Sequence, residues 1–441
     1  MSNPRCPGPT PTAAPGFLRL LDVDAMARLV QQHLTREATL LELVPDYVRW
    51  KDQDGSLVGY RAKVRHAGDE TATYVTARTA QPHRLAHEAE RLTHRAEQEL
   101  AGLRAFAFVP GADLLLLGFP LDRAMHDLRR VVRPSKVRTL VASTCPSIVP
   151  EDMRFSKRRS AFRLVRYKPE RRAVLHWQVG LVEREGRSTS TTSIWIRCHA
   201  ENQAQRTAVA TAAAAAGGVR CPRTLGIVHD RLTIESHVDG RTWDPFAGND
   251  AALAKAAAVV TRLHGTTPPS LLPHHGALDE LDLALRAVED LGRLDARLGS
   301  LAHELADRLS ELVPASSPPV FAHGDLHPGQ VLLTDDAASL CDFDRACLAP
   351  AAYDLATMRA HCVVADPVHG ELLAQQFLNV YGKHRELPHR DELAWWSACA
   401  LLRCATTPFR SLRHDWPAAT AALLDHAGRA LRTPAQKGAQ S

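Results

Sequence analysis

The sequence predicts an α+β fold in which strands dominate the first half of the chain and helices the second. Segments of alternating apolar and polar residues recur up to Gly240, whereas apolar residues recur at helical spacing from Asp250 onward. One compact non-helical island, Val320–Pro350, interrupts those helices. Together these three observations predict a small antiparallel sheet followed by a helical part, with an additional α+β domain in front.

The length of the chain predicts more than one compact part, because 441 residues exceed what one ordinary core holds. Changes in residue pattern and composition along the sequence set the expected domain boundaries. We expect a disordered tail at 1–20, an N-terminal α+β domain of unknown role at 21–148, a strand-rich lobe at 149–240, a helical lobe at 241–435 and a tail at 436–441.

The N-terminal domain opens with a helical pattern at Asp22–Leu34, which precedes alternating segments. Three of these segments read as strands: Tyr47–Trp50, Leu57–Val64 and Thr73–Arg78. The elements expected next are a charged helix at His87–Leu103, a strand at Asp113–Phe119 and a basic helical segment at Met125–Leu140.

The strand-rich lobe begins with a hairpin signal, in which two alternating runs flank a proline turn. Its elements in order are the runs Phe162–Tyr167 and Ala173–Leu181 around Lys168-Pro169-Glu170-Arg171, a strand at Thr192–Cys198, a helix at Asn202–Ala216, and strands at Thr224–His229 and Arg231–Val238. Gly217-Gly218 is a typical stop for that helix. The predicted order is therefore three strands, a helix and two strands.

The N-terminal domain also contains a segment that is similar to this lobe. Tyr47-Val48-Arg49-Trp50-Lys51 resembles Leu164-Val165-Arg166-Tyr167-Lys168, and a later strand of each part carries an arginine, Arg78 or Arg197. A duplicated hairpin would explain the similarity, and chance likeness of two exposed hairpins is the alternative.

Charge and hydropathy restrict the function classes. The net charge of +5 is compatible with a phosphate-bearing ligand but does not require nucleic acid. The basic runs Arg129–Arg138 and Arg154–Arg172 lack the interleaved aromatic residues that stack on bases, which favours solvated faces. With no apolar run of membrane-spanning length and no secretory signal at Met1–Pro15, the sequence predicts a cytoplasmic protein with no membrane partner.

The island at Val320–Pro350 contains the residues whose side chains are suited to catalysis and metal binding. A short apolar strand leads into Phe321-Ala322-His323-Gly324-Asp325-Leu326-His327-Pro328-Gly329-Gln330, and a later strand delivers Asp342-Phe343-Asp344. Carboxylate and amide oxygens are ligands that Mg²⁺ prefers beside phosphates and water. A further carboxylate in the preceding loop can accept a proton from a hydroxyl group and orient it for attack.

At these residues the chain resembles the aminoglycoside phosphotransferase and choline kinase superfamily. The shared features are the His-Gly-Asp loop, an amide residue five positions after its Asp, the Asp-Phe pair, and Pro350-Ala351-Ala352-Tyr353-Asp354-Leu355-Ala356. The resemblance covers about Arg154–Arg429. It implies a bilobal protein-kinase-like fold, and an ATP- and Mg²⁺-dependent phosphotransferase that acts on a hydroxyl group of a small molecule.

The resemblance also implies roles for individual residues. Of the catalytic-loop residues, Asp325 would be the base and His323 would pack the loop. Gln330 and Asp342 would hold Mg²⁺ against the ATP phosphates, and Asp354 would bind the backbone of the catalytic loop. In the strand-rich lobe, Arg197 would meet the ATP phosphates, and the strand Leu232–His237, with Glu235 and His237, would be the hinge whose backbone meets adenine. His264 is expected to have a core role.

Two departures from the family pattern are important. Gln330 stands where most members have Asn, as also occurs in the maltokinase-like branch. Arg197 stands where a Lys normally pairs with a Glu of the next helix, and that helix has only Glu201, near its start. Arginine neutralises phosphate but is bulkier and planar; Lys168 in the hairpin turn is a possible substitute.

Three hypotheses for the function follow. The first is a kinase for a sugar-like metabolite or an aminoglycoside-like compound. The mixed charge of the C-terminal helices favours the sugar, because aminoglycosides are polycations. The second is a pseudokinase that binds nucleotide or a partner protein, motivated by Arg197 and the missing helix Glu. The third is nucleic-acid binding, which the arginine runs permit but nothing in the pattern requires.

Overall fold

The computed structural model describes residues 15–50, 55–93, 102–186, 188–315 and 317–432. Within these ranges the chain divides into two compact units. The strand-rich unit comprises the described chain up to Asn202 together with Leu225–Glu235 and Arg410–His414; the helical unit comprises Gln203–Thr224, Ser236–Phe409 and the chain from Asp415 onward. Antiparallel sheets and helices are both present, which confirms the predicted α+β class.

The first part of the strand-rich unit is a five-stranded sheet with three helices. Its elements are α1 (Pro15–Leu21), α2 (Val23–Gln32), β1 (Ala38–Arg49), β2 (Leu57–His66), β3 (Asp69–Thr79), α3 (Pro82–Thr93), β4 (Phe106–Val109) and β5 (Leu114–Gly118). The strand order is β1-β2-β3-β5-β4, and each neighbouring pair is antiparallel. All five residues of β5 are buried, as expected for a central strand with both faces covered.

Two predictions for this part need correction. The predicted tail at 1–20 is too long, because α1 is helical and buries Phe17 and Leu20. The predicted charged helix at His87–Leu103 is confirmed as α3 as far as Thr93, but its last residue, Leu103, pairs with Leu34 in an isolated β-bridge. Residues 94–101 of that prediction lie outside the described residues.

The second sheet follows in the same unit. Its elements and connections are α4 (Leu128–Val131), α5 (Pro134–Thr144), β6 (Met153–Phe155), β7 (Ala161–Lys168), β8 (Arg172–Glu183), β9 (Thr189–His199), α6 (Ala204–Ala216), β10 (Thr224–Val228) and β11 (Leu232–Ser236). The predicted order of three strands, a helix and two strands is confirmed for β7 to β11. The basic helical segment predicted at Met125–Leu140 is divided into two helices, α4 and α5: Pro134 starts the second, since proline lacks the N–H that a helix interior requires.

The two sheets share one strand order. The second sheet runs β10-β11-β9-β8, with β6 and β7 both paired to β8, so that β7-β8-β9-β11-β10 repeats the order β1-β2-β3-β5-β4. In each case a helix, α3 or α6, follows the third strand. This repeated order is the arrangement expected if the two parts arose by duplication.

The helical unit contains the island that carries the motif. From β12 onward its elements are β12 (Arg241–Thr242), α7 (Asp250–His264), α8 (Ala277–Leu294), α9 (Ala296–Glu311), β13 (Val320–Ala322), β14 (Val331–Leu333), β15 (Ala338–Leu340), β16 (Cys347–Ala349), α10 (Ala351–Ala365), α11 (Gly370–Gly382), α12 (Arg390–Cys404), α13 (Thr407–Arg410) and α14 (Trp416–Arg432). The helical patterns at Leu253–Leu263, Leu372–Val380 and Leu393–Cys404 are confirmed as α7, α11 and α12.

A shared core fixes the island against these helices. Phe321, Leu340 and Phe343 of the island are almost fully buried in one cluster with residues of α7, α10 and α11. Burial of such large side chains stabilises the fold by roughly 1.5–3 kcal/mol each. The loops that leave the island's short strands are therefore held on a rigid base. No helix in the described ranges combines the length and the apolar character that a membrane crossing requires.

Candidate active site

The register of the island strands brings the two predicted loops together. β14 and β15 are antiparallel with Val331 opposite Leu340, so that the adjoining residues Gln330 and Cys341 are also neighbours. The Cys341 amide donates to the Gln330 carbonyl at 3.0 Å. The catalytic loop enters this hairpin at Gln330 and the Asp342 loop leaves it at Cys341, so the two motifs meet at one end of it.

The two side chains predicted to hold magnesium are in contact. Gln330 Nε2 donates to Asp342 Oδ2 at 3.1 Å, and Gln330 Oε1 accepts from the Cys341 thiol at 3.4 Å. A half-turn of the amide exchanges its nitrogen and oxygen, which brings a second oxygen beside the Asp342 carboxylate. One carboxylate and one amide oxygen suit a Mg²⁺ ion whose other ligands are phosphate and water. The donor set at this place therefore fits the ion that the resemblance implies.

In the described part of the chain, no three His, Cys, Asp or Glu side chains are grouped so that they could hold a metal ion.

Asp342 has a backbone conformation that is uncommon for its residue type. Its φ is +72° and its ψ is +59°, which is the left-handed region. A non-glycine residue pays about 1–2 kcal/mol there, so the surrounding contacts must hold it. Phe343, next in the chain, is 1% exposed and anchors the loop in the core. The strained residue is the one whose carboxylate would face the metal.

Asp325 is the partly exposed carboxylate of the catalytic loop, with 28% of its side chain accessible. Its Oδ1 lies 3.8 Å from Arg345 Nη1. Burial acts to raise the pKa of Asp325, but the nearby basic groups, Arg345 first among them, outweigh it and leave that pKa below its usual value. At neutral pH the group is therefore an ionised carboxylate, which is the form that can accept a proton.

Asp354 holds the backbone of the catalytic loop, as the resemblance implies. This fully buried carboxylate on α10 accepts from the backbone amides of His323 at 2.6 Å and Gly324 at 2.9 Å. Its Oδ2 also lies 3.1 Å from His264 Nε2. Burial acts to raise the pKa of Asp354, whereas the bond to His264 and the nearby basic groups lower it more. The predicted backbone contact and the predicted core role of His264 are both confirmed.

His323 and Gly324 show how tightly this loop is built. His323 is fully buried, packs its ring 5.0 Å from that of Phe343, and its Nε2 lies 2.9 Å from the Cys341 carbonyl oxygen. Gly324 has a φ of +79°, and a Cβ atom there would lie 1.9 Å from the carbonyl oxygen of Arg345. Only glycine fits that position. Since its ring is buried, His323 has the geometry of a positioning residue.

One residue near Asp325 was missed at the sequence level. His361 on α10 packs its ring 4.7 Å from that of His327, which belongs to the catalytic loop. His361 follows Asp354 by seven residues, about two helical turns, which places both on one face of α10. That spacing was the available signal, but it has no meaning until Asp354 is known to face the loop.

The strand-rich unit holds the predicted phosphate-binding residue, Arg197. Its Nε donates to Glu235 Oε2 at 2.9 Å, and both side chains are more than 90% buried. Glu235, on β11, also accepts from the Thr233 hydroxyl at 3.1 Å. The side chain of Glu235 is engaged with Arg197, and the contact of its strand's backbone with adenine stays a prediction. The carboxylate partner expected on the following helix thus comes from a neighbouring strand.

The last predicted cofactor-binding residue, His237, belongs to the helical unit. Its side chain is 39% exposed, and Nε2 lies 3.4 Å from Asp239 Oδ1. In the same unit, Asp344 of the Asp-Phe-Asp segment accepts from the Thr207 hydroxyl on α6 at 3.2 Å. The sequence did not indicate the Thr207 contact, because the two residues are 137 positions apart.

A comparison with protein families agrees with the motif. Residues 197–396, from β9 to α12, match the model of a family described as phosphotransferase enzymes. This match confirms the predicted family and the predicted class of enzyme for that segment. The maltokinase-like branch stays a prediction. No curated protein matches the sequence.

Several solved structures are similar to about two-thirds of the chain. A choline kinase from Cryptosporidium parvum Iowa II shares 14% identity over 67% of this chain and 94% of its own, with a TM-score of 0.48. A putative fructosamine-3-kinase from Thermobifida fusca shares 19% over 66% and 98%, with a TM-score of 0.44. A macrolide 2'-phosphotransferase from Brachybacterium faecium shares 15% over 69% and 99%, with a TM-score of 0.40. At these scores the similarities indicate neither an activity nor a substrate.

Proposed function

Because residues 197–396 of the chain belong to the phosphotransferase enzyme family, we propose that the protein transfers the γ-phosphoryl group of ATP to a hydroxyl group of a small molecule. The observation that carries this proposal is the convergence of three motif residues at one end of the β14–β15 hairpin. There Asp325 is partly exposed and ionised, while Gln330 and Asp342 are in contact.

The chemistry follows from the positions of these groups. Asp325 accepts the proton of the acceptor hydroxyl group as its oxygen forms a bond to the γ-phosphorus atom. The bond from that phosphorus to the bridging oxygen breaks, and ADP leaves. Gln330 and Asp342 would hold Mg²⁺, which when bound neutralises charge on the phosphates. His323 and Asp354 keep the loop in place and do not touch the reactants.

The basic side chain of the strand-rich unit supports an active enzyme. Arg197 would contact the ATP phosphates, and its ion pair with Glu235 supplies the carboxylate partner that the following helix lacks. The pseudokinase hypothesis was motivated by that missing partner. It remains the second candidate, because Arg197 still replaces the usual lysine.

The test is Mg²⁺-dependent release of ADP from ATP in the presence of sugars, amino sugars, aminoglycosides and amino alcohols. We expect one acceptor class to stimulate turnover. Replacement of the proton acceptor by Asp325→Asn should lower kcat by about 10²-fold or more. Stimulated turnover that survives in Asp325→Asn would contradict the assignment of Asp325, and wild-type ATP binding without turnover on any acceptor would favour the pseudokinase.

A further inference from the structure

The charged groups around Asp325 are mostly basic. Arg345 lies 3.8 Å from its carboxylate, and His327 acts on it as a further basic group, with Asp342 as the opposing acid. Arg403, on α12, also acts on both Asp325 and His361. An acceptor molecule that presents a hydroxyl group to Asp325 must enter this environment.

Two further acids of the helical unit, Glu280 and Asp354, are already paired. Glu280 on α8 is fully buried, accepts from Arg403 Nε at 3.0 Å, and has His275 Nε2 3.0 Å from its other oxygen. Asp354 is fully buried and bonded to the loop backbone and to His264. Neither carboxylate is accessible to a cationic ligand. A polycation would therefore meet Arg345 with neither Glu280 nor Asp354 available to balance its charge.

The histidine pair has a different character. The two rings stack at 4.7 Å, and each residue is partly exposed. Burial, reinforced by the charge of His327, lowers the pKa of His361 far below its usual value, so His361 is neutral at physiological pH. A neutral imidazole offers one N–H donor and one nitrogen acceptor, which matches the donor and acceptor capacity of a hydroxyl group.

We propose that His327 and His361 contact the acceptor beside Asp325 and that, with Arg345, they select an uncharged polyhydroxylated molecule over a cationic one. This inference rests on the proposed function and names the acceptor class of the same site. It assigns a specificity role to His361, whereas Asp325 remains the catalytic residue.

The first arm of the test compares acceptors that differ in charge. Turnover of Mg·ATP is measured with glucose against glucosamine, and with maltose against kanamycin. We expect kcat/KM to be roughly tenfold or more higher for the neutral member of a pair, as expected for one unfavourable charge interaction near the protein surface. Equal or higher kcat/KM for the cationic members would overturn the inference while leaving the proposed kinase activity intact.

The second arm does not depend on turnover and reads specificity by binding. Kanamycin binding is titrated by calorimetry against the wild type, His361→Asp, and the uncharged control His361→Asn, with folding of each checked by circular dichroism. We expect His361→Asp to bind kanamycin roughly tenfold more tightly than His361→Asn, since it adds a carboxylate where the wild type has a neutral ring. Arg345→Gln, which removes a half-exposed positive charge, should tighten binding in the same direction.

The two arms of the test distinguish failure of the proposed function from failure of the inference about acceptor specificity. If none of these acceptors stimulates turnover, the proposed function loses its support from this panel, and the binding arm alone decides the inference. Equal kanamycin affinity of His361→Asp, His361→Asn and wild type would show that position 361 does not face the acceptor, and would overturn it.

Discussion

At the scale of single residues, Asp354 decides whether the catalytic loop can form. It is a fully buried carboxylate that receives two backbone amides and lies against the ring of His264. The family resemblance implied this role, because it places Asp354 on the helix that begins directly after Pro350 and has it bind the backbone of the catalytic loop. Removal of this side chain would destabilise the loop, since the two backbone amides would then be buried without an acceptor.

We expect Asp354→Ala to lower the free energy of unfolding by roughly 3 kcal/mol or more, since each buried donor left unsatisfied costs about 1–3 kcal/mol. Urea unfolding measures the loss. Asp425→Ala on α14 is the matched control. Its partner Arg429 is 2.8 Å away and both side chains are 55% exposed, so the control should change stability by less than about 1 kcal/mol. Equal losses for the two variants would contradict the role of Asp354.

The difference in the free energy of unfolding between wild type and Asp354→Ala should change with pH in a defined direction. The pKa of Asp354 is lowered in the folded state, where the bond to His264 and the basic surroundings outweigh burial. The contribution of Asp354 to stability is therefore fully present above its unfolded-state pKa of about 4, and it is lost as the pH falls through the lower folded-state pKa. The stability gap between wild type and Asp354→Ala should be constant at neutral pH and should narrow below about pH 4.

At the scale of elements, the β7–β8 turn is tied to the first sheet by charge. Glu170 in this turn has a 4% exposed side chain and forms ion pairs with three arginines: Arg49, Arg78 at 3.2 Å and Arg123 at 3.0 Å. Its amide also donates to Asp122 Oδ2 at 2.9 Å. Burial acts to raise the pKa of Glu170, but Arg123, Arg49 and Arg78 together lower it to about 2.

We expect Glu170→Gln to destabilise the strand-rich unit by roughly 3 kcal/mol, because loss of one partner leaves buried charges uncompensated. Chemical unfolding followed by tryptophan fluorescence measures the change. Glu289→Gln is the surface control: its pair with Arg293 is 3.8 Å long and largely exposed, so it should have an effect below about 1 kcal/mol. Indistinguishable unfolding curves for Glu170→Gln and wild type would show that the arginine cluster does not hold the turn.

The elements that the sequence predicted well are those with a long, clear period. The alternating hairpin around Lys168–Arg171 and the helices α7, α11 and α12 are confirmed. The strands β4 and β6 were missed, because four and three residues are too few to show alternation. The partners of Glu170 lie 47 to 121 positions earlier in the chain, and no local pattern can announce such contacts.

At the scale of the whole molecule, the catalytic loop was predictable because its residues are contiguous. His323 to Gln330 and Asp342 to Asp344 form two short motifs, and the β14–β15 register accounts for their meeting. The Arg197–Glu235 pair and the His327–His361 pair were not predictable in this way. Each joins residues from separate elements, so each depends on packing that a single sequence does not reveal.

The response of the whole protein to nucleotide distinguishes the two candidate functions. A ligand that binds only the folded state adds about 2.7 kcal/mol of stability at a concentration of 100 times its Kd. We therefore expect Mg·ATP to raise the Tm by several degrees, with a smaller effect of ATP in the presence of EDTA. Because Asp342 would hold the ion, Asp342→Asn should abolish most of the magnesium-dependent part.

Asp325→Asn serves as the matched variant in this experiment. It should retain the magnesium-dependent rise in Tm and lose acceptor-stimulated turnover, because Asp325 would accept a proton and would not hold the ion. A wild type that is stabilised by Mg·ATP but never turns over would indicate a pseudokinase. Absence of any Mg·ATP stabilisation, measured by scanning calorimetry, would contradict the proposed kinase, and would leave of the two only a pseudokinase that binds a partner protein and not nucleotide.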